Sequence, residues 1–439
     1  MSLLLTAASY FVSGVVLYYT VLFGISLLRK APDGRDVVTA FVVFVAAMNE
    51  EAVIEATLES LLGLEHDRFV ICVGDDGSTD ATPAILARYA DDPRVSVVHR
   101  EAPRAQLGKS DVLNECLEVT MAMVDSDHPV LGGLDPAGVV IGIVDADGRL
   151  DRQTLREVSP YFGEPKVASV QIGVRIANAD TNLLTRMQDM EFVGFSAFVQ
   201  RARDHLGSSG LGGNGQFTRL SALTGLKADR GGPWKTDALT EDLELGLALI
   251  CRGWRTRYCP TVYVAQQGLP GWHALFRQRT RWIQGHYSCW SYLPRLMRAP
   301  TELTTRLDLS LYLLLIVTVV IVTLSAVAGV LTMAGVIAPA NEFLAFLPVG
   351  RARNTVSLVF ALTPIVAFMH VYQRHAHSRF HIWEVPAVSA IFTVYTYVWI
   401  FATIRALTRM ALGRRNWVKT PRVAEQLPRS EPALVSDLR

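Results

Sequence analysis

Residues 139–147 read VVIGIVDAD, and this stretch decides the fold. Its first six residues include no polar side chain, which predicts a strand that is buried on both faces. Two carboxylates, Asp145 and Asp147, follow where that strand ends. In open α/β sheets, ligands bind beyond the carboxyl ends of the strands. The stretch therefore predicts a buried strand with a binding site at its end.

The same alternation of strand and helix precedes this stretch. The expected strands are 37–46, 69–73 and 95–98, and the expected helices are 51–62, 80–89 and 109–124. This rhythm predicts a mostly parallel sheet with helices on both faces, within a domain spanning residues 36–270. The second strand ends at Asp75 and Asp76, so both are expected at the same edge of the sheet as Asp145.

Four further elements are expected after residues 139–147. Residues 182–206 have the spacing of one long amphipathic helix, and 210–215 form a glycine-rich turn whose backbone can approach a ligand closely. A helix is expected over 242–251, with Thr240 as its N-cap. Residues 271–300 are expected to form amphipathic helices in the membrane interface, and an ordinary buried helix is the alternative.

The composition points to a membrane. Hydrophobic residues make up 50% of the 439 residues, and the net charge of +1 gives no sign of a nucleic-acid partner. The stretches without charge are 1–28, 309–341, 354–373 and 385–404. Crossing a hydrocarbon core takes about 20 apolar residues. We therefore expect a transmembrane helix in 1–30, about three more in 308–407, and a basic, partly disordered tail over 408–439.

Arg29 and Lys30 directly follow the first apolar stretch and favour a cytosolic catalytic domain in an integral protein of the plasma membrane. A cleaved signal peptide is less compatible with this stretch, because it lacks a positively charged start. The five cysteines form no C-x-x-C pair, so free thiols are expected.

The carboxylates suit a divalent cation and a phosphorylated ligand. Mg²⁺ and Mn²⁺ prefer carboxylate and phosphate oxygens and often use only one or two protein carboxylates. Asp145 and Asp147 fit this need, whereas Asp75 and Asp76 could by themselves form a plain turn. Asp242 begins a predicted helix, where it could favour the helix dipole or act as a general base. Glu241 could compete for the role of base.

Gln278, Arg281 and Trp282 share one face of a predicted helix because they lie at positions i, i+3 and i+4. Arg281 can neutralise a leaving diphosphate. Trp282 offers a flat platform on which a sugar ring could stack. Arginine and tryptophan also anchor helices at membrane surfaces, but Gln278 is not needed for anchoring.

These motifs resemble the family 2 inverting glycosyltransferases, especially the membrane-embedded synthases of cellulose, chitin and hyaluronan. The resemblance covers residues 36–300. Its motifs are Asn49-Glu50-Glu51, Asp75-Asp76-Gly77, Gly108-Lys109 with Asn114, Asp145-Ala146-Asp147, Thr240-Glu241-Asp242 and Gln278-x-x-Arg281-Trp282. It implies a GT-A fold, a UDP-sugar donor, Mg²⁺ or Mn²⁺, and inversion at the anomeric carbon.

The resemblance also implies roles for individual residues. Asp242 is the expected catalytic base, and Asp147 is the expected metal ligand. The expected donor-binding residues are Asn49, Glu50, Asp75, Asp76 (which reads the uridine), Lys109, Asp145 and Arg281. The expected acceptor-binding residues are Glu241, Gln278 and Trp282.

The leading functional hypothesis is a processive synthase. It would transfer a hexose from UDP-glucose or UDP-N-acetylglucosamine to a growing β-linked polysaccharide. The membrane helices would export the polysaccharide. Accessory envelope proteins are the expected protein partners. The alternative is a single addition to a membrane lipid, as in ceramide glucosyltransferase-like enzymes, which share the motifs. A third reading is an inactive membrane scaffold, against which the intact acidic residues argue.

Overall fold

The computed structural model describes residues 2–28, 30, 32, 37–314, 317, 318, 320, 321, 366, 368–375 and 380–414. Most of the predicted membrane stretches 309–341 and 354–373 therefore lies outside the described residues, as does most of the tail 408–439. All five cysteines are free, as expected.

Eight strands form one sheet. They are β1 Ala40–Ala47, β2 Phe69–Asp75, β3 Val95–His99, β4 Val139–Asp145, β5 Arg149–Leu150, β6 Val167–Ile176, β7 Gln216–Arg219 and β8 Arg255–Gln266. Their order is β3-β2-β1-β4-β7-β6-β8-β5. The first four are mutually parallel, as predicted. Beyond β4 the sheet is mixed: β7, which follows the glycine-rich turn 210–215, is antiparallel to both β4 and β6, and β5 is antiparallel to β8, whereas β6 and β8 are parallel.

The sheet has a hydrophobic core on each face. Along β1, Phe41 and Val43 pack into one core, whereas Val42 and Phe44 pack into the other. Successive side chains of a strand point to opposite faces, so a strand covered on both sides needs an uninterrupted apolar run. This is why the apolar runs located the central strands correctly.

Helices cover both faces and continue beyond the sheet. They are α1 Ser2–Ser26, α2 Ile54–Leu62, α3 Thr82–Ala87, α4 Lys109–Val124, α5 Thr154–Val158, α6 Leu183–Gly194, α7 Arg201–Leu206, α8 Leu220–Arg230, α9 Glu241–Ile250, α10 Trp272–Ser288, α11 Leu293–Met297, α12 Leu303–Leu313, α13 Val385–Thr396 and α14 Val398–Ala411. The helix predicted over 182–206 is found over 183–206, where the π-helical stretch Phe195–Gln200 connects α6 to α7 without a break in the helical backbone.

Helix α10 packs against α14 with part of its apolar face. Leu275 and Ile283 are buried, and Ile283 shares a cluster with Ala402 and Ala406 of α14. Trp272, by contrast, is 58% exposed. Within the described part of the chain, one helix is long and apolar enough to cross a membrane: the 27 residues Val385–Ala411, which comprise α13 and α14.

A buried ionic cluster joins α1, α7 and α12. Asp308 accepts hydrogen bonds from the Tyr18 hydroxyl at 2.5 Å and from the Ser208 hydroxyl at 2.9 Å. Arg203 Nε lies 3.1 Å from Asp308 Oδ2, and both side chains are 2% exposed. Because each charge is compensated, the cluster can hold three helices together within an apolar environment.

Candidate active site

A cavity of about 1330 Å³ lies at the carboxyl ends of β1 and β4. Of the residues predicted for the site, those in its wall are Glu50, Asp76, Lys109, Asp145, Glu241, Asp242, Gln278, Arg281 and Trp282. Asn49, Asp75 and Asp147 do not belong to this wall. The structure thus brings together most of the predicted residues, although Trp282 lies 206 positions after Asp76 in the chain.

Asp76 is fixed at one end of the cavity. Its Oδ1 accepts hydrogen bonds from Arg100 Nη1 at 2.5 Å and from the backbone N–H of Gln106 at 2.8 Å. Arg100 is only 4% exposed and also donates to Glu115 at 2.9 Å. Arg100 was not predicted from the sequence, because it lies in a loop with no motif.

Asn49 and Asp75 shape the loop that follows Asp76. Asn49 has a φ of +54°, and its Oδ1 accepts a hydrogen bond from the backbone N–H of Thr79 at 2.7 Å. Asp75 Oδ1 accepts from the N–H of Ser78 at 3.1 Å. Both side chains therefore bond to the backbone of this loop, and their contact with the donor stays a prediction.

Lys109 connects three parts of the site. Its Nζ lies 2.5 Å from Asp145 Oδ1 and 3.5 Å from Glu241 Oε1, and it donates to the carbonyl of Gly213 at 3.0 Å. Burial opposes the charge of this ammonium group, but the negative charges of Asp145 and Glu241 outweigh burial and raise the pKa of Lys109. Lys109 therefore brings a permanent positive charge to an acidic wall.

Asp147 lies behind Asp145 and is 1% exposed. Its Oδ2 accepts a hydrogen bond from the backbone N–H of Gln267 at 3.0 Å. No cluster of three or more potential ligands occurs in the part of the chain that the structure describes. Mg²⁺ and Mn²⁺ need only one or two protein carboxylates when substrate phosphates complete the set. Asp145 in the wall and Asp147 behind it fit a cation site of this type, in which two protein carboxylates act together with substrate phosphates.

Asp242 occupies the first turn of α9. Its Oδ1 accepts a hydrogen bond from the N–H of Leu243 at 2.8 Å. Burial, together with the neighbouring charge of Glu241, raises the pKa of Asp242 to about 7, against the lowering effects of Leu243, Lys109 and Arg281. A carboxylate with a pKa near the working pH is suited to accept a proton.

The glycine-rich turn approaches this carboxylate closely. A Cβ at Gly213 would lie 3.1 Å from Asp242 Oδ2, and the φ of Gly213 is +72°. Glycine is therefore favoured here both by conformation and by the space beside Asp242. The sequence analysis expected the backbone of this turn to approach a ligand, which stays a prediction. It did not identify Asp242 as a neighbour of the turn.

The predicted motif Gln278-x-x-Arg281-Trp282 on α10 completes the wall of the cavity. Arg281 Nη1 donates to the carbonyl of Leu239 at 3.1 Å and so anchors the segment that leads into α9. The ring of Trp282 lies 6.2 Å from that of Phe192 and 6.3 Å from that of Trp399. Trp282 thus lies between α6 and α14.

Arg279, which lies inside this motif, forms a buried hub that the sequence did not reveal. It is 0% exposed and donates to Glu191 Oε2 at 2.6 Å and to Gln278 Oε1 at 2.7 Å. Its guanidinium carbon lies 4.2 Å from the centroid of the Trp282 ring. Glu191 also accepts from the indole N–H of Trp399 at 2.9 Å. Arg279 therefore orients two of the predicted acceptor residues.

The same cavity extends away from the carboxylates into apolar surroundings. Beyond Trp282 its wall includes Val15 and Val16 of α1, Phe195, and Tyr397 and Ile400 next to or within α14. The cavity therefore joins the acidic residues at the sheet edge to apolar side chains of the two helices that the sequence assigns to the membrane.

Comparison with known proteins identifies related chains. Residues 39–285 match a family described as Glycosyltransferase like family 2. Beta-monoglucosyldiacylglycerol synthase from Synechocystis sp. is 35% identical over 278 residues, which are 62% of this chain and 53% of that protein. Poly-beta-1,6-N-acetyl-D-glucosamine synthase from Staphylococcus aureus is 25% identical over 284 residues, which are 62% and 61% of the two chains. The chain thus matches about half the length of the first relative.

A solved structure supports the fold. The mannosyltransferase from Pyrobaculum calidifontis, in complex with GDP-Man and Mn²⁺, has a TM-score of 0.56 and 21% identity, over 86% of this chain and 99% of that one. At this identity the likeness concerns the fold alone. It confirms the predicted GT-A fold, here with a mixed sheet.

Proposed function

This chain belongs to glycosyltransferase family 2, and we propose on that basis that it transfers one hexose from a UDP-sugar to the hydroxyl of a membrane lipid. The observation that carries this proposal is the continuous cavity from Asp242 to the apolar residues of α1 and α14. A lipid acceptor needs an apolar environment beside a polar reaction centre. The 35% identity to a glucosyldiacylglycerol synthase supports the same acceptor class.

The proposed reaction is a single displacement at the anomeric carbon. Asp242 accepts the proton of the acceptor hydroxyl as its oxygen attacks, and the bond to the diphosphate breaks on the opposite side, which inverts the configuration. Asp76, fixed by Arg100, binds the uridine. Lys109 and Arg281 offset the negative charge that grows on the leaving diphosphate. Trp282 provides the platform for the acceptor.

A divalent cation fits this scheme at Asp145 and Asp147. Bound there with the diphosphate, Mg²⁺ or Mn²⁺ would supply additional neutralisation of the leaving group. The pairing of Lys109 with Asp145 keeps a positive charge beside that carboxylate. The residues of this chain thus bind and orient the donor from two sides.

A processive polysaccharide synthase remains the second candidate. The 25% identity to a poly-N-acetylglucosamine synthase favours it, since that relative matches over a similar length of this chain. Both candidates require the same base, diphosphate site and cation. They differ in the acceptor and in the number of sugars added.

Product size distinguishes the two candidates. We expect membranes containing the full chain, incubated with labelled UDP-glucose or UDP-N-acetylglucosamine and diacylglycerol, to form a lipid that carries one sugar. Membranes with Asp242→Asn serve as the control for background transfer. A ladder of longer glycans, with no lipid product, would contradict the proposal and favour the synthase.

Removal of metal should abolish transfer. We expect a chelator to reduce the rate by more than about 100-fold, because the cation contributes several kcal/mol of charge stabilisation. Mg²⁺ or Mn²⁺ should restore the rate, and Asp147→Asn should prevent full restoration. Asp127→Asn, which removes an exposed carboxylate, is the matched control. Full activity of the chelated protein would exclude the proposed cation.

We also propose the membrane arrangement predicted from the sequence. The helix in 1–30 anchors the chain, the domain 36–270 lies in the cytosol, and the helices of 271–300 lie along the membrane surface. The candidate span Val385–Ala411 supports helices that cross the membrane within 308–407, followed by the basic tail 408–439.

A further inference from the structure

A second cavity, of about 380 Å³, lies between α10 and α14. The residues in its wall are His273, Phe276, Arg277 and Arg405. None of them belongs to the wall of the larger cavity. The glycosyl-transfer scheme uses none of these side chains.

Cationic groups converge on this second cavity without matching carboxylates. Arg277 and Arg405 form no ion pair with any residue in the described ranges. Among the described residues, Arg405 donates to the neutral hydroxyl of Thr280 at 3.4 Å, and its guanidinium carbon lies 5.3 Å from the centroid of the Phe276 ring. Arg277 and Arg405 lie in the wall of one small cavity, so their like charges repel each other. An anion in the cavity would relieve this repulsion.

The position of the cavity indicates the source of the anion. Arg405 lies near the end of the apolar helix Val385–Ala411, where a membrane helix meets the headgroup region. Phe401 and Ile404 of the same helix are 62% and 58% exposed, so apolar side chains face outward beside the arginines. A headgroup phosphate with its acyl chains would match both features, whereas a soluble anion would match only the charge.

We propose that Arg277 and Arg405 bind the headgroup phosphate of an anionic membrane lipid in the cavity between α10 and α14. Guanidinium groups bind phosphate oxygens with pairs of hydrogen bonds. Basic pockets between membrane helices on the cytoplasmic side bind anionic headgroups in this way. His273 lines the same cavity, and Phe276 packs below the Arg405 guanidinium.

This site lies next to the motif Gln278-x-x-Arg281-Trp282, which is on the same helix, α10. Arg277 directly precedes Gln278, and Thr280, which bonds to Arg405, directly precedes Arg281. A bound headgroup would therefore hold α10 against α14, and with it the residues proposed to contact the acceptor. The inference concerns a lipid that is neither donor nor acceptor.

The test uses the full-length protein in vesicles of phosphatidylcholine alone and of phosphatidylcholine mixed with phosphatidylglycerol. After mild detergent extraction, mass spectrometry measures the lipids that remain bound. We expect the wild type to retain phosphatidylglycerol in preference to phosphatidylcholine. The double variant Arg277→Gln/Arg405→Gln should reduce this preference about tenfold or more. Arg156→Gln, an exposed arginine on α5, removes the same charge elsewhere and should keep the preference.

Arg277→Gln alone provides a second variant, because Arg277 is exposed and its loss should not disturb folding. It should reduce the preference by a smaller factor. An unchanged preference in a folded double variant would overturn the proposal. Inorganic phosphate is the probe for the other source of the anion. If it displaces the retained lipid at the same arginines, the site is one for free phosphate and the lipid proposal is wrong.

Discussion

Replacing Asp242 with asparagine should reduce transfer by about 10²–10⁴-fold, the usual contribution of a general base. Asparagine has nearly the same shape, and its amide oxygen can still accept the hydrogen bond from the Leu243 N–H. UDP binding should therefore persist, measured by calorimetry or by displacement of a labelled nucleotide. Asp127→Asn, which removes an exposed carboxylate outside the cavity wall, is the matched control. Full transfer by the Asp242 variant would remove the base assignment.

The same carboxylate should set the pH dependence. Since the proposed base acts when ionised, kcat/KM should rise as the pH increases through about 7, the raised pKa of Asp242. Stability should change in the opposite direction, because the folded protein holds this proton up to about 7 whereas the unfolded chain releases it near 3.8. The free energy of unfolding should therefore fall between these pH values, and Asp242→Asn should remove that fall. A pH profile unchanged in the variant would contradict this.

Replacing Arg279 with methionine should destabilise the fold by about 3 kcal/mol, because it leaves Glu191, whose side chain is only 20% exposed, without its compensating charge. Among the described residues, Glu191 would retain the neutral donors Tyr395 and Trp399. Transfer should fall as well, since Gln278 and Trp282 lose the group that orients them. Thermal unfolding and a transfer assay measure the two effects.

A double variant tests whether the lost charge balance is the cause. Arg279→Met combined with Glu191→Leu should recover part of the stability, because both charges are then absent. It should not recover transfer, because Gln278 still lacks its partner. Asp180→Asn, which breaks a pair with Arg186 on the same helix as Glu191, is the control. The Asp180 side chain is 84% exposed, so its loss should cost about 1 kcal/mol or less. Equal effects at the two pairs would contradict the role of burial.

The central strands could be predicted because a strand that is buried on both faces appears in the sequence as an uninterrupted apolar run. The run before Asp145 and the run in β1 each contain no charged residue, and each was found at the predicted place. The edge of the sheet at which Asp76 and Asp145 meet follows from that assignment and from the parallel connections. Strands β5 to β8 were not predicted, and the direction of β7 depends on the turn before it.

The supporting residues of the site could not be predicted, because their partners are distant in the chain. Glu191 and Arg279 are separated by 88 positions, and Asp76 is held by Arg100 from a loop without any motif. A motif shows which residue types occur, but not which of them face the cavity. Asn49 and Asp75 illustrate this, since they belong to the recognised motifs yet bond to the loop backbone.

The cluster of Asp308 with Tyr18, Arg203 and Ser208 also bears on biosynthesis. The ribosome makes Tyr18 first and reaches Asp308 only 290 residues later. Until then, Arg203 lacks the carboxylate that compensates its charge, although the whole catalytic sheet has already been made. A nascent chain interrupted before α12 therefore carries an unbalanced cation at the junction of its first helix and its enzyme domain. The cluster therefore closes only in a chain that has been translated past the catalytic domain and through α12.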